Sequence, residues 1–328
     1  MNPSKKILQI SGQSTLEKAA HILENGGLVA FPTETVYGLG ADATNDIAVA
    51  KIYDVKKRDT FNPLIIHCRD LAHAKTIADF SHEAEELANQ FWPGPLSLVL
   101  PKKHSSSLSE LATVGLDTLA VRVPEHPVAL SLLCSVPFPI AAPSANMSGS
   151  ISPTTAQHVV DSLGDLISVV LEGGPCKKGI ESTIIDMSEA QPTLLRSGSI
   201  PSEAIEEVFG LLLLTASKSS ANPKSPGLLS RHYAPGLPMR LEVAVATDSE
   251  AFLGFGPDSA VSADLNLSPS GDLAEAAANL FAMLRQLDNP RNFKGIAVAP
   301  IPERGVGKAI NDRLRRGSVR YSKNASQE

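Results

Sequence analysis

Sulfur is scarce in this chain. Three cysteines in 328 residues, Cys68, Cys134 and Cys176, stand far apart, so neither a disulfide framework nor a C-x-x-C zinc or redox pattern is available. They read as structural thiols in a reducing compartment. Long apolar runs are missing too: none approaches the ~20 residues that cross a bilayer, and the first residues carry no charged-then-apolar leader. A soluble cytoplasmic protein with no membrane partner is the expectation. Positive charge is in deficit, with 29 Lys and Arg against 35 Asp and Glu, which excludes a protein that coats nucleic acid through overall charge. Any RNA contact needs a local patch, and the basic stretch 304–323 reads first as the solvated face of a terminal helix. No G-x-x-x-x-G-K-[ST] loop occurs; GVGKAI at 305–310 lacks its first glycine and its Ser/Thr. The absence of H-E-x-x-H and G-x-S-x-G likewise removes the usual supports of metalloprotease and α/β-hydrolase chemistry.

What is present is an ordinary globular composition, 43% hydrophobic and 20% charged, in a chain long enough for two domains. Over residues 1–210, helical and strand signals alternate. Ser14-x-x-Glu17 reads as a capping box opening a helix that stops at Gly26-Gly27. Apolar strand runs follow at 28–31, 64–66, 96–100, 119–123, 138–142, 168–171 and 183–186, with helical spacing at 46–55, 81–91, 128–133 and 155–163. An α/β sheet is the economical architecture. Residues 211–237 hold a Ser-, Pro- and Lys-rich linker without apolar periodicity. Beyond it, strand signals at 241–245, 251–255 and 295–299 and a long Ala-rich helix at 272–287 predict a small α/β domain over 238–328.

Polar residues fall repeatedly just after predicted strands, where open α/β sheets place ligands. PTETVYGLG at 32–40 supplies Thr33 and Thr35 in a turn. Lys56, Lys57 and Arg58 end a helix, where cations suit the helix dipole, and Lys56 and Arg58 also make a clamp for a polyphosphate. His67 closes the next strand, as a buried hydrogen-bonded residue or as a ligand contact. In TLAVRVP at 118–124, alternation puts Arg122 on the face opposite Val121 and Val123, so it needs a partner: a structural carboxylate, or the carboxylate of a small substrate. The loop AAPSANMSGSISPTTAQHV at 141–159 crowds Ser144, Asn146, Ser148 and Ser152 ahead of a helix, where donors suit phosphate oxygens or a simple cap. GIESTIID at 179–186 and Arg196 complete the set.

Taken in order, PTETVYGLG, K-x-R with NPLI, TLAVRVP, SAN-x-SG-x-x-SPTTA, GIESTIID and SPG followed by RHYAP resemble the YrdC-like threonylcarbamoyl-AMP synthases, across essentially the whole chain and in the long form with a C-terminal domain. The resemblance implies a twisted sheet of mixed parallel and antiparallel strands with helices, plus a small Rossmann-like C-terminal domain. It implies that L-threonine, bicarbonate and ATP give L-threonylcarbamoyladenylate and pyrophosphate. Downstream tRNA threonylcarbamoyl transferase proteins would be partners, with a direct tRNA contact left open. Thr35, His67, Arg122 and Ser182 would contact threonine. Lys56, Arg58, Asn62, Thr118, Ser144, Asn146, Ser152 and Arg196 would contact ATP, with Tyr233 closing as a lid and Mg²⁺ bound to the nucleotide. Lys56 and Arg58 would be catalytic, since the threonine carbamate brings its own nucleophile. Asp59, Ser197, Ser199, Leu229 and Ser230 depart from the family pattern. The competing functions are an RNA-binding module using the concave face and a related carbamoyl transferase, whose zinc-binding cysteine motifs are absent here.

Overall fold

The computed structural model describes residues 7–9, 13–210, 212–215, 232–259 and 262–319. The chain divides into two compact units, one of Met1–Ser148 and Ser152–Leu228, the other of Gly149–Ile151 and Leu229–Glu328. In the first unit the strands are β1 (Ile7–Gln9), β2 (Val29–Phe31), β3 (Gly38–Asp42), β4 (Ile65–His67), β5 (Leu96–Pro101), β6 (Thr118–Arg122), β7 (Ile140–Ala141), β8 (Val169–Glu172), β9 (Thr183–Asp186), β10 (Thr193–Arg196) and β11 (Leu214–Thr215). Its helices are α1 (Gln13–Glu24), α2 (Asp46–Lys56), α3 (Leu71–Ala74), α4 (His82–Phe91), α5 (Glu110–Thr113), α6 (Pro127–Cys134), α7 (Ala156–Leu163) and α8 (Ser202–Phe209).

One mixed sheet carries all of these strands, in the order β1-β8-β2-β3-β7-β4-β6-β5-β9-β10-β11. At its centre β4 runs parallel to β6 and antiparallel to β7, while β5 runs antiparallel to β6 and parallel to β9. Period-two alternation sorts the side chains. Leu64, Ile66, Leu98, Leu119, Val121 and Ile185 enter the large core beneath the helices. Their neighbours Ile65, Val99, Ala120 and Ile184 form a small apolar cluster on the opposite face. That second face carries the candidate site.

Two local expectations change. The second half of PTETVYGLG, which reads as a polar turn, is strand β3, buried along its whole length and held antiparallel to β2 and β7. Glycine is a poor strand former, so pairing on both sides outweighs propensity here. Helix α1 begins at Gln13, one residue ahead of the Ser14 expected as its cap. Cys68 and Cys176 are buried as expected of structural thiols, whereas Cys134 is exposed.

The second unit has a parallel sheet in the order β12-β15-β13-β14, built from β12 (Met239–Arg240), β13 (Glu250–Gly254), β14 (Leu265–Asn266) and β15 (Gly295–Val298), with α9 (Leu273–Leu287) and α10 (Gly307–Ser318). No strand forms at the expected 241–245; the strand here is the preceding Met239–Arg240, and Glu242 takes a left-handed φ of 58°. Asp272 caps α9 by accepting from Glu275 N. Within this unit Ala234 N donates to Gly149 O at 2.9 Å, and Arg285 donates to the Ile151 carbonyl. No helix among the described residues is long and apolar enough to cross a membrane. Leu229, Ser230, Arg231 and the SPG at 225–227 lie outside the described residues, as does most of the linker.

Candidate active site

His67 and Arg122 are register partners at the ends of β4 and β6, and Ser97 faces Ile184 across β5 and β9. All four lie on the face away from the main core. Arg122 is only 4% exposed, so its charge must be met locally. The carboxylate that meets it is Glu34, itself 4% exposed and held by the turn after β2: Arg122 Nη2 donates to Glu34 Oε1 at 2.5 Å. Arg122 Nη1 donates to Thr35 Oγ1 at 3.0 Å, and Nε to Gly94 O at 3.3 Å. Glu34 Oε2 accepts from Glu125 N, while the Thr33 hydroxyl closes the turn on Val36 O. Three of five guanidinium donors are used, leaving one N–H on each terminal nitrogen for a further carboxylate.

His67 Nδ1 lies 3.2 Å from Ile65 O, and its ring stands edge-on to Phe31. Burial, reinforced by the Arg122 charge, pushes its pKa down to about 3, so the imidazole is neutral near pH 7.

The K-x-R element owes its shape to a helix end. Asn45 caps α2 at its start, and Lys57 ends it in the left-handed conformation at φ 52°, its N–H turned back to Asp54 O and Tyr53 O. The reversal leaves Lys57 exposed, 4.0 Å from Asp54, and turns Lys56 and Arg58 inward. Asp59 is exposed, so this departure from the family pattern puts no acid among the buried cations. Lys56 Nζ donates to Ser144 O at 2.5 Å and also to Asn146 O, joining α2 to the SAN loop. Burial first, then the Arg58 charge, holds the Lys56 amine well below the usual lysine range. Arg58 donates from Nε to Asn62 O at 3.1 Å and from Nη2 to Pro63 O at 2.9 Å.

A third group closes the site. Ser152 Oγ donates to Glu181 Oε1 at 2.6 Å, and Arg196 reaches Ser182 through both its carbonyl and its hydroxyl, at 3.0 and 3.1 Å. Ser182 Oγ is also 2.8 Å from Ser97 Oγ, so one serine touches both the Arg122 face and the Arg196 group. Gly198 makes this approach possible: a Cβ there would stand 2.3 Å from Ser182 C and Thr183 N. Ser199, a departure from the family pattern, donates to Ile180 O at 3.0 Å and ties the same segment down.

Four buried basic side chains, Lys56, Arg58, Arg122 and Arg196, thus gather with the buried carboxylates Glu34 and Glu181, while the other two buried carboxylates of the unit, Asp42 and Asp186, accept from Thr44 and Ser188. Basic side chains brought together in a dry setting suit an anionic ligand. Thr118 is partly buried at the opposite end of β6 from Arg122, and Ser144 meets Lys56 through its carbonyl rather than its hydroxyl. Tyr233 belongs to the second unit, where its buried ring stacks on Phe281 at 5.6 Å beneath the Arg313 guanidinium. Sequence reasoning left Glu34, Ser97 and Gly198 without roles. The signal for Glu34 was available: a strand arginine needs an acid, and Glu34 sits between two threonines of the first loop.

Comparison with known proteins shows which family the chain belongs to. A family model described as Telomere recombination, that of Sua5, YciO and YrdC, matches residues 21–198. A second, described as Threonylcarbamoyl-AMP synthase, C-terminal domain, matches residues 200–318. The chain is 42% identical to a threonylcarbamoyl-AMP synthase of Pyrococcus abyssi, over 92% of this chain and 93% of that protein. It is 40% identical to one of Bacillus subtilis, over 91% of each. The crystal structure of P. abyssi Sua5 complexed with L-threonine superposes with a TM-score of 0.87 at 38% identity, covering 95% of this chain and 97% of that one. With both domains matched in sequence and in fold, this chain belongs to the threonylcarbamoyl-AMP synthase family, in its two-domain Sua5 form.

Proposed function

We propose that the chain condenses L-threonine, bicarbonate and ATP into L-threonylcarbamoyladenylate, releasing pyrophosphate. The observation that carries this reading is the junction at Ser182, which bonds Arg196 and lies 2.8 Å from Ser97 on the Arg122 face, so that the two groups meet in one buried site. In our reading Arg122, with Thr35, His67 and Ser182, takes the threonine. The two uncommitted guanidinium N–H groups donate to its carboxylate, while Glu34 holds the guanidinium in place. Lys56, Arg58, Ser152 and Arg196 take the phosphates, with Asn62, Thr118, Ser144 and Asn146 along the nucleotide and Tyr233 as a closing group.

The threonine amine and bicarbonate combine with loss of water to a carbamate. A carbamate oxygen then attacks the α-phosphorus, and the bond to the β-phosphate oxygen breaks as pyrophosphate departs. No side chain serves as nucleophile. Lys56 and Arg58 act by position and charge on the phosphates, as in other phosphoryl-transfer sites. The donors here are cationic groups and hydroxyls, a set suited to phosphate oxygens, and Mg²⁺ enters with the nucleotide as MgATP to offset its charge. The neutral His67 adds no positive charge beside the threonine amine.

In our reading the product passes to threonylcarbamoyl transferase proteins that modify tRNA, and the reaction is cytoplasmic. The test is pyrophosphate release by the full chain with ATP, bicarbonate and single amino acids. Turnover should require both L-threonine and bicarbonate. Equal release without either sinks the assignment.

A further inference from the structure

Strand β5 reads Leu96-Ser97-Leu98-Val99-Leu100-Pro101, and Ser97 is its one polar side chain, fully buried. A hydroxyl set on an apolar strand away from water needs a partner, because losing water without replacement is costly. Among the described residues Ser97 Oγ has one, Ser182 Oγ at 2.8 Å, which is fully buried as well. Backbone pairing fixes their meeting. β5 and β9 run parallel with Leu96 beside Thr183 and Ser97 beside Ile184, and Thr183 N donates to Pro95 O at 3.0 Å. On the other side of β5, Leu98 pairs with Val121, so Ser97 stands one step further on, level with Arg122.

The two hydroxyls hold two protons and share one hydrogen bond, which leaves one proton for a third group. Arg196 Nη2 donates to Ser182 Oγ at 3.1 Å and fills one of its two lone pairs. With Ser182 donating to Ser97, the spare proton sits on Ser97, which has no other partner among the described residues. A buried donor left in that way is destabilising. With Ser97 donating to Ser182, both lone pairs of Ser182 Oγ are filled, and the spare proton sits on the residue assigned to threonine.

We propose that Ser97 is a positioning residue for threonine: by donating to Ser182 it fixes the Ser182 hydroxyl as a donor to an oxygen of the bound amino acid. The inference rests on the reading of Ser182 as a threonine contact. Ser97 acts through Ser182 and touches no substrate atom itself. Without Ser97 the Ser182 hydroxyl is free to rotate and to point its proton elsewhere, so binding of threonine has to order it.

The test is calorimetric titration of the full chain with L-threonine and, separately, with MgATP. Ser97→Ala should raise the threonine Kd about tenfold, the order expected for one hydrogen bond, and leave MgATP affinity unchanged. Threonine and valine side chains have nearly the same shape, so Ser97→Thr should keep the wild-type threonine Kd while Ser97→Val matches Ser97→Ala. In a Ser182→Ala background, Ser97→Ala should have no further effect, because its effect passes through Ser182. A wild-type Kd in Ser97→Ala overturns the inference. So does equal weakening in Ser97→Thr and Ser97→Val, or a full additional loss in the Ser182→Ala background. Threonine binding by the wild type without threonine-dependent pyrophosphate release would instead overturn the functional reading, while the Kd series still decides the role of Ser97.

Discussion

Arg122 and Glu34 face one another at 2.5 Å, each 4% exposed, from a strand in the middle of the sheet and from the first loop of the chain. The pair answers whether the arginine meets a structural carboxylate or a substrate: the protein supplies one acid and leaves two donors uncommitted. Glu34→Ala should therefore destabilise the fold by about 3–5 kcal/mol, because it strands a buried charge. Urea unfolding of the variant checks this. A loss within that of a surface substitution would show that the guanidinium finds other support.

Arg122→Lys should raise KM for threonine at least tenfold and change nucleotide affinity little. An ammonium cannot hold Glu34 and a second carboxylate in a planar fork. Lys56→Ala should show the opposite bias, weakening ATP more than threonine, since Lys56 gathers the carbonyls of Ser144 and Asn146. Calorimetric titration of both ligands against both folded variants separates the roles. Equal effects on the two ligands would dissolve the division of the site.

Gly198→Ala should cost about 1–3 kcal/mol, the usual range for overpacking, because a Cβ has no room against the backbone of Ser182 and Thr183. The displaced segment carries Ser182, so turnover should fall with stability. Thermal unfolding together with pyrophosphate release is the check, and full activity at lowered Tm would place the strain away from the site.

His67 contributes to a pH dependence of stability. Its folded pKa of about 3 lies below the ordinary 6.5, so the folded state resists protonation that the unfolded state accepts. The contribution is fully present above pH 6.5 and is lost progressively as pH falls toward 3, amounting to a few kcal/mol. Urea midpoints of the wild type should fall across this window more steeply than those of His67→Gln. Parallel slopes would show that other groups govern the acid limb.

Tyr233→Ala should lower the thermal stability of the second unit by about 3–5 kcal/mol, the range for deleting a buried aromatic ring, because the ring lies between Phe281 and Arg313. Tyr233→Phe keeps the stack. Synthesis lost in Tyr233→Phe at unchanged Tm would assign the hydroxyl to nucleotide closure, and synthesis kept would make the ring an anchor alone.

By itself the sequence determined which faces the strands present and which loops crowd polar residues after strands, because both depend on near neighbours in the chain. Alternation in TLAVRVP put Arg122 opposite Val121, and the order of six motifs pointed to the family. Strand β3 was hidden because its glycines argue for a turn, and only pairing with β2 and β7 makes them a buried strand. The pairing of Arg122 with Glu34, the meeting of Ser97 with Ser182, and the lack of room beside Gly198 were likewise decided only by the tertiary structure. Each joins residues distant in sequence, whose approach depends on strand order and register across the whole sheet. Local periodicity specifies the direction in which a side chain points; its partner there is set by the rest of the fold.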